Sequence, residues 1–295
     1  MSNNNQKTVR ELINELSFKF DSANLYYGHG TDNAFDEAVY LVFSLLNLPF
    51  DVEDEKLNEV VDAEKQNKIE HFANRRISER LPVAYLVNKA WFCGMPFYVD
   101  ERVLIPRSPI AELIEENFSP WISQDDQITR ILDIGTGSAC IAIAASIAFP
   151  YADVDAIDIS RPALDVARIN VEQNQLLKRV NLIQSDIFEN LQGKKYDLII
   201  ANPPYVDLAQ MEQLPKEYRH EPASGLAAGE NGLDIVSIII HESHHYLNDK
   251  GVLIVEVGNA QGALEEAFPD MPFTWLEFER GGEGVFLLYK EDMHN

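Results

Sequence analysis

The stretch Arg130-Ile131-Leu132-Asp133-Ile134-Gly135-Thr136-Gly137-Ser138-Ala139-Cys140 runs from a short apolar segment through a glycine loop into an apolar helix. A strand that ends in Gly-x-Gly and opens directly into a helix reads as the start of a parallel βαβ unit. Gly135 and Gly137 let the backbone turn sharply and approach a ligand closely, because no Cβ intervenes. Outward from this unit the pattern continues. Val154-Asp155-Ala156-Ile157, Val180-Asn181-Leu182-Ile183, Asp197-Leu198-Ile199-Ile200 and Val252-Leu253-Ile254-Val255 are short apolar runs, each separated by a crossover long enough for a helix. That alternation predicts an α/β domain with a parallel, doubly wound, Rossmann-like sheet. The tail differs: Phe273 to Phe278 and Val285 to Tyr289 are joined through Gly281-Gly282-Glu283-Gly284. A glycine-rich turn between two such runs predicts a terminal antiparallel hairpin.

Upstream the period changes from two to nearly four. Val9, Leu12, Ile13, Leu16 and Phe20 recur at spacings of three and four, which places them on one helix face. Val39 to Leu46 reads as a more buried helix, capped near Thr31-Asp32-Asn33. Residues 51–64 carry Asp51, Glu53, Asp54, Glu55, Glu59, Asp62 and Glu64 against Lys56 alone, which is the pattern of a solvated face. Phe97-Tyr98-Val99 and Arg102-Val103-Leu104-Ile105 flank Asp100-Glu101 and read as a β-hairpin, before Pro106, Pro109 and a helix through Ile110, Leu113 and Ile114. Three segments are expected: a small helical region over 1–90, a hairpin linker over 91–109, and the α/β domain over 110–295.

Composition narrows the function classes. With 46% hydrophobic and 24% charged residues over 295 positions, the chain has the make-up of a soluble globular protein. No run of apolar residues is long enough for a transmembrane helix, and Met1-Ser2-Asn3-Asn4-Asn5-Gln6 lacks the basic and apolar regions of a signal peptide. Cys93 and Cys140 form no CxxC pair, which suits a reducing cytoplasm and argues against structural zinc. The 48 acids outnumber 24 bases, a net charge of −24. Such a surface repels phosphate backbones, so nucleic acid is not expected as a direct partner. It attracts a basic protein, although acidity that only maintains solubility has the same composition. His241-Glu242-Ser243-His244-His245 fits the zinc-protease pattern H-E-x-x-H. It sits between Ile238-Ile239-Ile240 and the strand at Val252, as a crossover helix would, and no third ligand is placed by sequence. No metal is expected there. Tyr27-Gly28-His29-Gly30 reads as a turn before a helix.

Chemistry concentrates at the strand ends. Asp133 can order the glycine loop or hold part of a ligand, and Asp158, ending the next strand, can accept hydrogen bonds from both hydroxyls of a ribose. A glycine loop with such an acid is shared by NAD-binding and S-adenosylmethionine-binding folds. Gly135-Thr136-Gly137-Ser138-Ala139-Cys140 lacks the third glycine of the dinucleotide fingerprint, which favours the methyl donor. Asn202-Pro203-Pro204-Tyr205 follows the fourth strand and is the most specific motif in the chain. Two prolines stiffen the loop, so the Asn202 side chain and the Pro203 carbonyl present two acceptors in fixed geometry to both hydrogens of a planar –NH₂ group. Tyr205 offers the same group a flat face. An amide nitrogen is a poor nucleophile because its lone pair is delocalised, and such a grip orients it and supports developing positive charge.

Asp-x-Gly-x-Gly, an acid after the second strand and Asn-Pro-Pro-Tyr after the fourth resemble the protein glutamine methyltransferases of the HemK type, over nearly the whole chain. The resemblance implies a class I methyltransferase sheet behind a helical substrate-recognition domain, and S-adenosylmethionine as donor. By it, Asp133, Gly135, Thr136, Gly137, Asp158 and Asn202 line the donor site, with Asp186-Ile187 near the adenine. Asn202, Pro203, Pro204 and Tyr205 hold the glutamine, and Asn202, Pro203 and Tyr205 serve the transfer. Ala139 stands where the family often has glycine. Release-factor enzymes of this family carry Pro-Arg-Pro-Glu-Thr-Glu after the hairpin, whereas this chain reads Pro106-Arg107-Ser108-Pro109-Ile110-Ala111-Glu112. That segment, with Trp91-Phe92-Cys93-Gly94 and Tyr218-Arg219-His220-Glu221-Pro222, is similar to the PrmB branch, which implies a glutamine of the third large-subunit ribosomal protein as substrate. A release factor, an adenine amino group in nucleic acid, and a non-catalytic adaptor role are the rival readings. Oligomeric state and the identity of the glutamine are not encoded in any motif.

Overall fold

The computed structural model describes residues 6–123, 127–206, 208–226 and 232–293, so the polar start over 1–5 lies outside them. The chain forms two compact units, one of residues 1–90 with 215–220 and one of the remainder.

The first unit is helical. Helix α1 (Val9–Ser22) starts where the Thr8 hydroxyl accepts the Glu11 amide and the Glu11 carboxylate accepts the Thr8 amide, a reciprocal capping box. It buries Val9, Leu12, Ile13, Leu16 and Phe20, the stripe its spacing predicts. Helix α2 (Ala34–Leu46) is capped by Asn33, whose side chain accepts the Asp36 amide at 2.9 Å. A short helix α3 (Asp54–Leu57), the longer α4 (Ala63–Glu79) and α5 (Val83–Val87) complete the set. The acids over 51–64 are all exposed, as a solvated face requires.

One buried position breaks the hydrophobic rule. On α4 the inward stripe is Ile69, Ala73 and Arg76, and Arg76 is fully buried. Its guanidinium donates to both Glu37 oxygens at 3.1 and 3.2 Å, to Glu217 Oε1 at 3.3 Å and to the Tyr26 carbonyl at 2.8 Å. Glu217 belongs to the returning segment 215–220, which also packs the Tyr218 ring, tilted, against Tyr26 and His29. A buried charge is tolerated only when paired and hydrogen-bonded, and this planar fork meets that condition on each side.

The second unit begins at Trp91, within strand β1 (Ala90–Phe92), which pairs with β2 (Met95–Phe97). The hairpin therefore lies earlier than Phe97–Ile105, where the sequence pattern put it. Cys93 and Gly94 both have left-handed φ, 46° and 70°, the two-residue turn whose twist suits paired strands. Farther on, side chains take the backbone donors that a ladder would need. Tyr98 N bonds the Asn170 side chain, Arg102 N the Asp100 carboxylate and Ile105 N the Glu221 carboxylate.

Helix α6 (Ile110–Glu115) leads to the main sheet, built of β3 (Arg130–Ile134), β4 (Asp153–Asp158), β5 (Val180–Gln184), β6 (Tyr196–Ala201), β7 (Leu247–Glu256), β8 (Thr274–Trp275) and β9 (Val285–Tyr289). Its order is β5-β4-β3-β6-β7-β9-β8, parallel through β7 and antiparallel at β9 and β8. Helices α7 (Cys140–Ala148), α8 (Arg161–Gln173), α9 (Leu208–Gln213), α10 (Asp234–Tyr246) and α11 (Gln261–Ala267) connect the strands. Alternation decides which face each residue covers. Ile131, Leu198, Ile200, Val252 and Ile254 join the core with α6 and α7, while Leu132, Ile134, Ile199, Leu253 and Val255 join the core with α10. Both faces are covered, which is why the strands read as continuous apolar runs. The expected Phe273–Phe278 strand is shortened to β8; beyond it Leu276 N still bonds the Val285 carbonyl, and the Glu112 carboxylate takes the backbone N–H groups of Glu279 and Arg280.

Candidate active site

Strand register gathers the motifs. Ile134 lies beside Ile157 in β4 and Ala201 in β6, Asp158 beside Gln184 in β5, and Ala201 beside Val255 in β7. Gly135, Asp158, Ser185, Asn202 and Glu256 therefore leave or end neighbouring strands at one carboxyl edge. The strand order reverses between β3 and β6, the switch point at which open α/β sheets bind ligands. A Cβ built on Gly135 would stand 3.8 Å from the Asn202 carbonyl oxygen, so the glycine loop and the Asn-Pro-Pro-Tyr loop adjoin. Asn202 is half-buried and Pro203 buried.

The glycine loop is held from both sides. Thr136 N donates to the Ile157 carbonyl at 2.8 Å, and Gly137 N to Asp158 Oδ2 at 2.9 Å. Gly135 and Gly137 have φ of 71° and 53°, and Ala139 adopts φ 64° despite its methyl group. The departure at 139 is thus absorbed by backbone strain, of a kind that costs about 1–2 kcal/mol. Asn170 on α8, which no motif flagged, donates to the Ser138 and Tyr98 carbonyls.

Asp133 orders this loop. Its Oδ2 accepts the Thr136 hydroxyl at 2.6 Å and Ala142 N at 3.2 Å, while its Oδ1 is buried without a protein partner. Burial pushes the carboxyl up to about 7, the negative Asp158 adds to that, and the two hydrogen bonds oppose it. Asp158 is also raised by burial, against its bonds from Ser160 N and Gly137 N. Ser185 N donates to the Asp158 carbonyl and the Ser185 hydroxyl to the Ile187 carbonyl, which fixes the loop after β5. In that loop the Asp186 side chain is exposed and Ile187 is half-buried at a left-handed φ of 44°.

Tyr205 is placed by a partner that the sequence motifs did not include. Its hydroxyl donates to Glu256 Oε1 at 3.1 Å, and Ser108 Oγ donates to Glu256 Oε2 at 2.5 Å. The only available signal for Glu256 was an acid directly after the fifth apolar run. The His241 motif does not join this edge cluster. His241 Nδ1 lies 2.7 Å from the Ser237 carbonyl on its own helix, and its ring packs on Phe268. Among the described residues no three His, Cys, Asp or Glu side chains converge to hold a metal.

Comparison with known proteins fits this geometry. The methyltransferase small domain family matches residues 119–217. The chain is 47% identical to a ribosomal protein uL3 glutamine methyltransferase of Francisella tularensis subsp. tularensis, over 98% of this chain and 92% of that protein. It is 45% identical to the enzyme of the same name from Bordetella pertussis, over 100% of both. The chain belongs to the uL3 glutamine methyltransferase family. The methyltransferase fold extends to more distant structures. The human Mettl16 catalytic domain, solved with a MAT2A 3'UTR hairpin, superposes with a TM-score of 0.50 at 18% identity, covering 79% of this chain and 84% of that one.

A methyl donor fits at the sheet edge of this methyltransferase. The glycines leave the backbone bare, Asp158 retains lone pairs beyond its two amide bonds, and Asp133 Oδ1 is a buried acceptor without a protein partner. The Asp133 carboxyl also makes stability pH-dependent. Its folded value of about 7 lies above the ordinary 3.8, so its contribution is full below 3.8 and is lost as pH rises through about 7. In donor-free protein the unfolding midpoint of the wild type is expected to fall over that range relative to Asp133→Asn. Parallel pH profiles for the two proteins would refute a neutral, buried Asp133. Among the described residues no helix is long and apolar enough to cross a membrane.

Proposed function

We propose that this methyltransferase moves the methyl group of S-adenosylmethionine to the side-chain amide nitrogen of a glutamine in ribosomal protein uL3. The observation that carries the reading is the adjacency of the Asn202-Pro203-Pro204-Tyr205 loop and the glycine loop at one sheet edge. Bound there, the sulfonium supplies an electrophilic methyl carbon to in-line attack by nitrogen. Gly135, Thr136 and Gly137 would line the donor, Asp158 would accept its ribose hydroxyls, and Asp133 would hold the loop beside its amino-acid portion. Asp186 and Ile187 border the adenine. The Asn202 side chain and the Pro203 carbonyl accept the two amide hydrogens, so the lone pair points at the methyl carbon. Pro204 stiffens the grip and Tyr205 covers the amide plane. As the C–N bond forms and the C–S bond breaks, positive charge grows on nitrogen opposite these two acceptors, where it is stabilised. The methylated amide then loses its proton to water, so no strong base is required.

The substrate is free uL3 as a basic protein, not an assembled ribosome. The exposed acids Asp51, Glu53, Asp54, Glu55, Glu59, Asp62 and Glu64 outnumber Arg10, Lys56 and Lys65, which pair with Asp54, Glu59 and Asp62, so the helical unit keeps an acidic surface that attracts Lys and Arg. The 1–90 region serves recognition and 91–109 links it to the 110–295 domain, in the cytoplasm. The deciding assay offers free uL3, mature large subunits lacking the methyl group, and release factor side by side. Preferential methylation of release factor would discard the substrate assignment, and equal rates on mature subunits would discard the electrostatic part. Donor binding is checked separately by calorimetry. Asp158→Ala is expected to weaken S-adenosylmethionine by about 1–3 kcal/mol, the cost of leaving ribose hydroxyls unpaired. Binding of NADH in its place would contradict the donor assignment.

A further inference from the structure

We infer that Glu256 and Ser108 form a tether that positions Tyr205 for methyl transfer, an inference resting on the glutamine-methylation reading. Glu256 ends β7, and its neighbour Val255 pairs with Ala201, the residue before Asn202. Its carboxylate is buried between two hydroxyl donors, Ser108 Oγ at 2.5 Å and Tyr205 Oη at 3.1 Å. A buried carboxylate is costly unless its lone pairs are met, so these two bonds hold each other in place.

Each end of the tether is itself fixed. Ser108 Oγ also accepts Ile110 N at 3.2 Å, and the preceding Arg107 makes a bidentate bond to the buried Glu221 at 2.5 and 2.8 Å. Bidentate guanidinium–carboxylate pairs add geometric specificity to strength. At the other end the Tyr205 ring lies so close to Gly258 that a Cβ there would stand 2.6 Å from Cε2. Hydroxyl and ring are thus both constrained, and the amide-covering face of Tyr205 inherits the rigidity of the sheet. Ser108 lies in the segment where this chain departs from the release-factor stretch, and a proline in its place has no hydroxyl to donate.

The test follows the Tyr205 ring directly and through turnover. In full-length protein labelled with ¹³C-tyrosine, the Tyr205 signal is identified by its loss in Tyr205→Phe. Glu256→Ala and Ser108→Ala are expected to shift that signal, and Glu256→Gln, which still accepts the phenol hydrogen, to restore it. With S-adenosylmethionine and uL3, Glu256→Ala should lower kcat about 10²-fold, the cost of a small misplacement at a reacting centre. Donor affinity should not change. In the Tyr205→Phe background the same substitution should add little, because the tether acts through the phenol. Glu256→Gln separates the tether from a folding defect, since it keeps the side-chain volume. An unmoved Tyr205 signal, or losses that simply add, would overturn the inference. A wild-type enzyme that methylates no glutamine would instead overturn the function, while the Tyr205 signal still judges the tether.

Discussion

Asn202→Ala is expected to lower methyl transfer by about 10²–10³-fold while leaving S-adenosylmethionine affinity nearly intact. The glycine loop, with the anchoring carboxylates Asp133 and Asp158, does not depend on the Asn202 side chain for its hydrogen bonds. On the proposed mechanism, removing that side chain therefore spares the carboxylates assigned to the donor. The acceptor amide loses one of its two fixed partners at the moment its nitrogen becomes positive. Pro203 still offers its carbonyl, so residual turnover survives. Single-turnover rates with saturating donor, alongside calorimetry, separate the two effects. Near-normal turnover by the variant would remove the amide grip from the mechanism.

Arg76→Ala is expected to destabilise the helical unit by about 3–5 kcal/mol, the usual cost of stranding a buried charge. The guanidinium is the shared partner of Glu37 and Glu217, both buried, and it also holds the Tyr26 carbonyl. Burial already raises the Glu37 carboxyl despite the attraction of Arg76. Without Arg76 the Glu37 carboxyl is pushed to take up a proton, while Glu217 keeps Arg80 and the Tyr26 amide, so the loss should shrink as pH falls and Glu37 becomes neutral. Hydrogen exchange of amides in α1, α2 and α4 is the suitable measurement, because a two-unit chain need not unfold in one step. Protection unchanged in these helices would mean that the ion cluster contributes little. Replacing Arg76, Glu37 and Glu217 together by apolar residues of similar volume should restore much of the stability, because the cost lies in the unpaired charge.

Local signals carried most of the fold. The one-sided spacing from Val9 to Phe20 became α1, and the apolar runs at Ile131, Val154, Val180, Leu198 and Val252 became neighbouring parallel strands. Periodicity and glycine placement are properties of a few adjacent residues, so they can be read without knowing what the chain packs against. The same holds for Gly135, Gly137 and the two prolines of the Asn202 loop, whose backbone preferences are intrinsic. The hairpin was misplaced because both candidate turns have suitable residues nearby. The choice fell to Asn170 and Glu221, which claim the backbone donors of Tyr98 and Ile105 from 72 and 116 positions away.

What the sequence by itself determined is the parallel sheet with its antiparallel edge, the helical region before it, and the two motif-bearing loops that the fold brings together at one sheet edge. What only the tertiary structure decided is which side chains hold those parts in place. Glu256 meets Ser108 across 148 positions and Tyr205 across 51, and Arg76 meets Glu217 across 141. No period or spacing links such pairs. They are chosen by strand register and by the requirement that every buried charge find a partner, and both conditions exist only after the chain has folded.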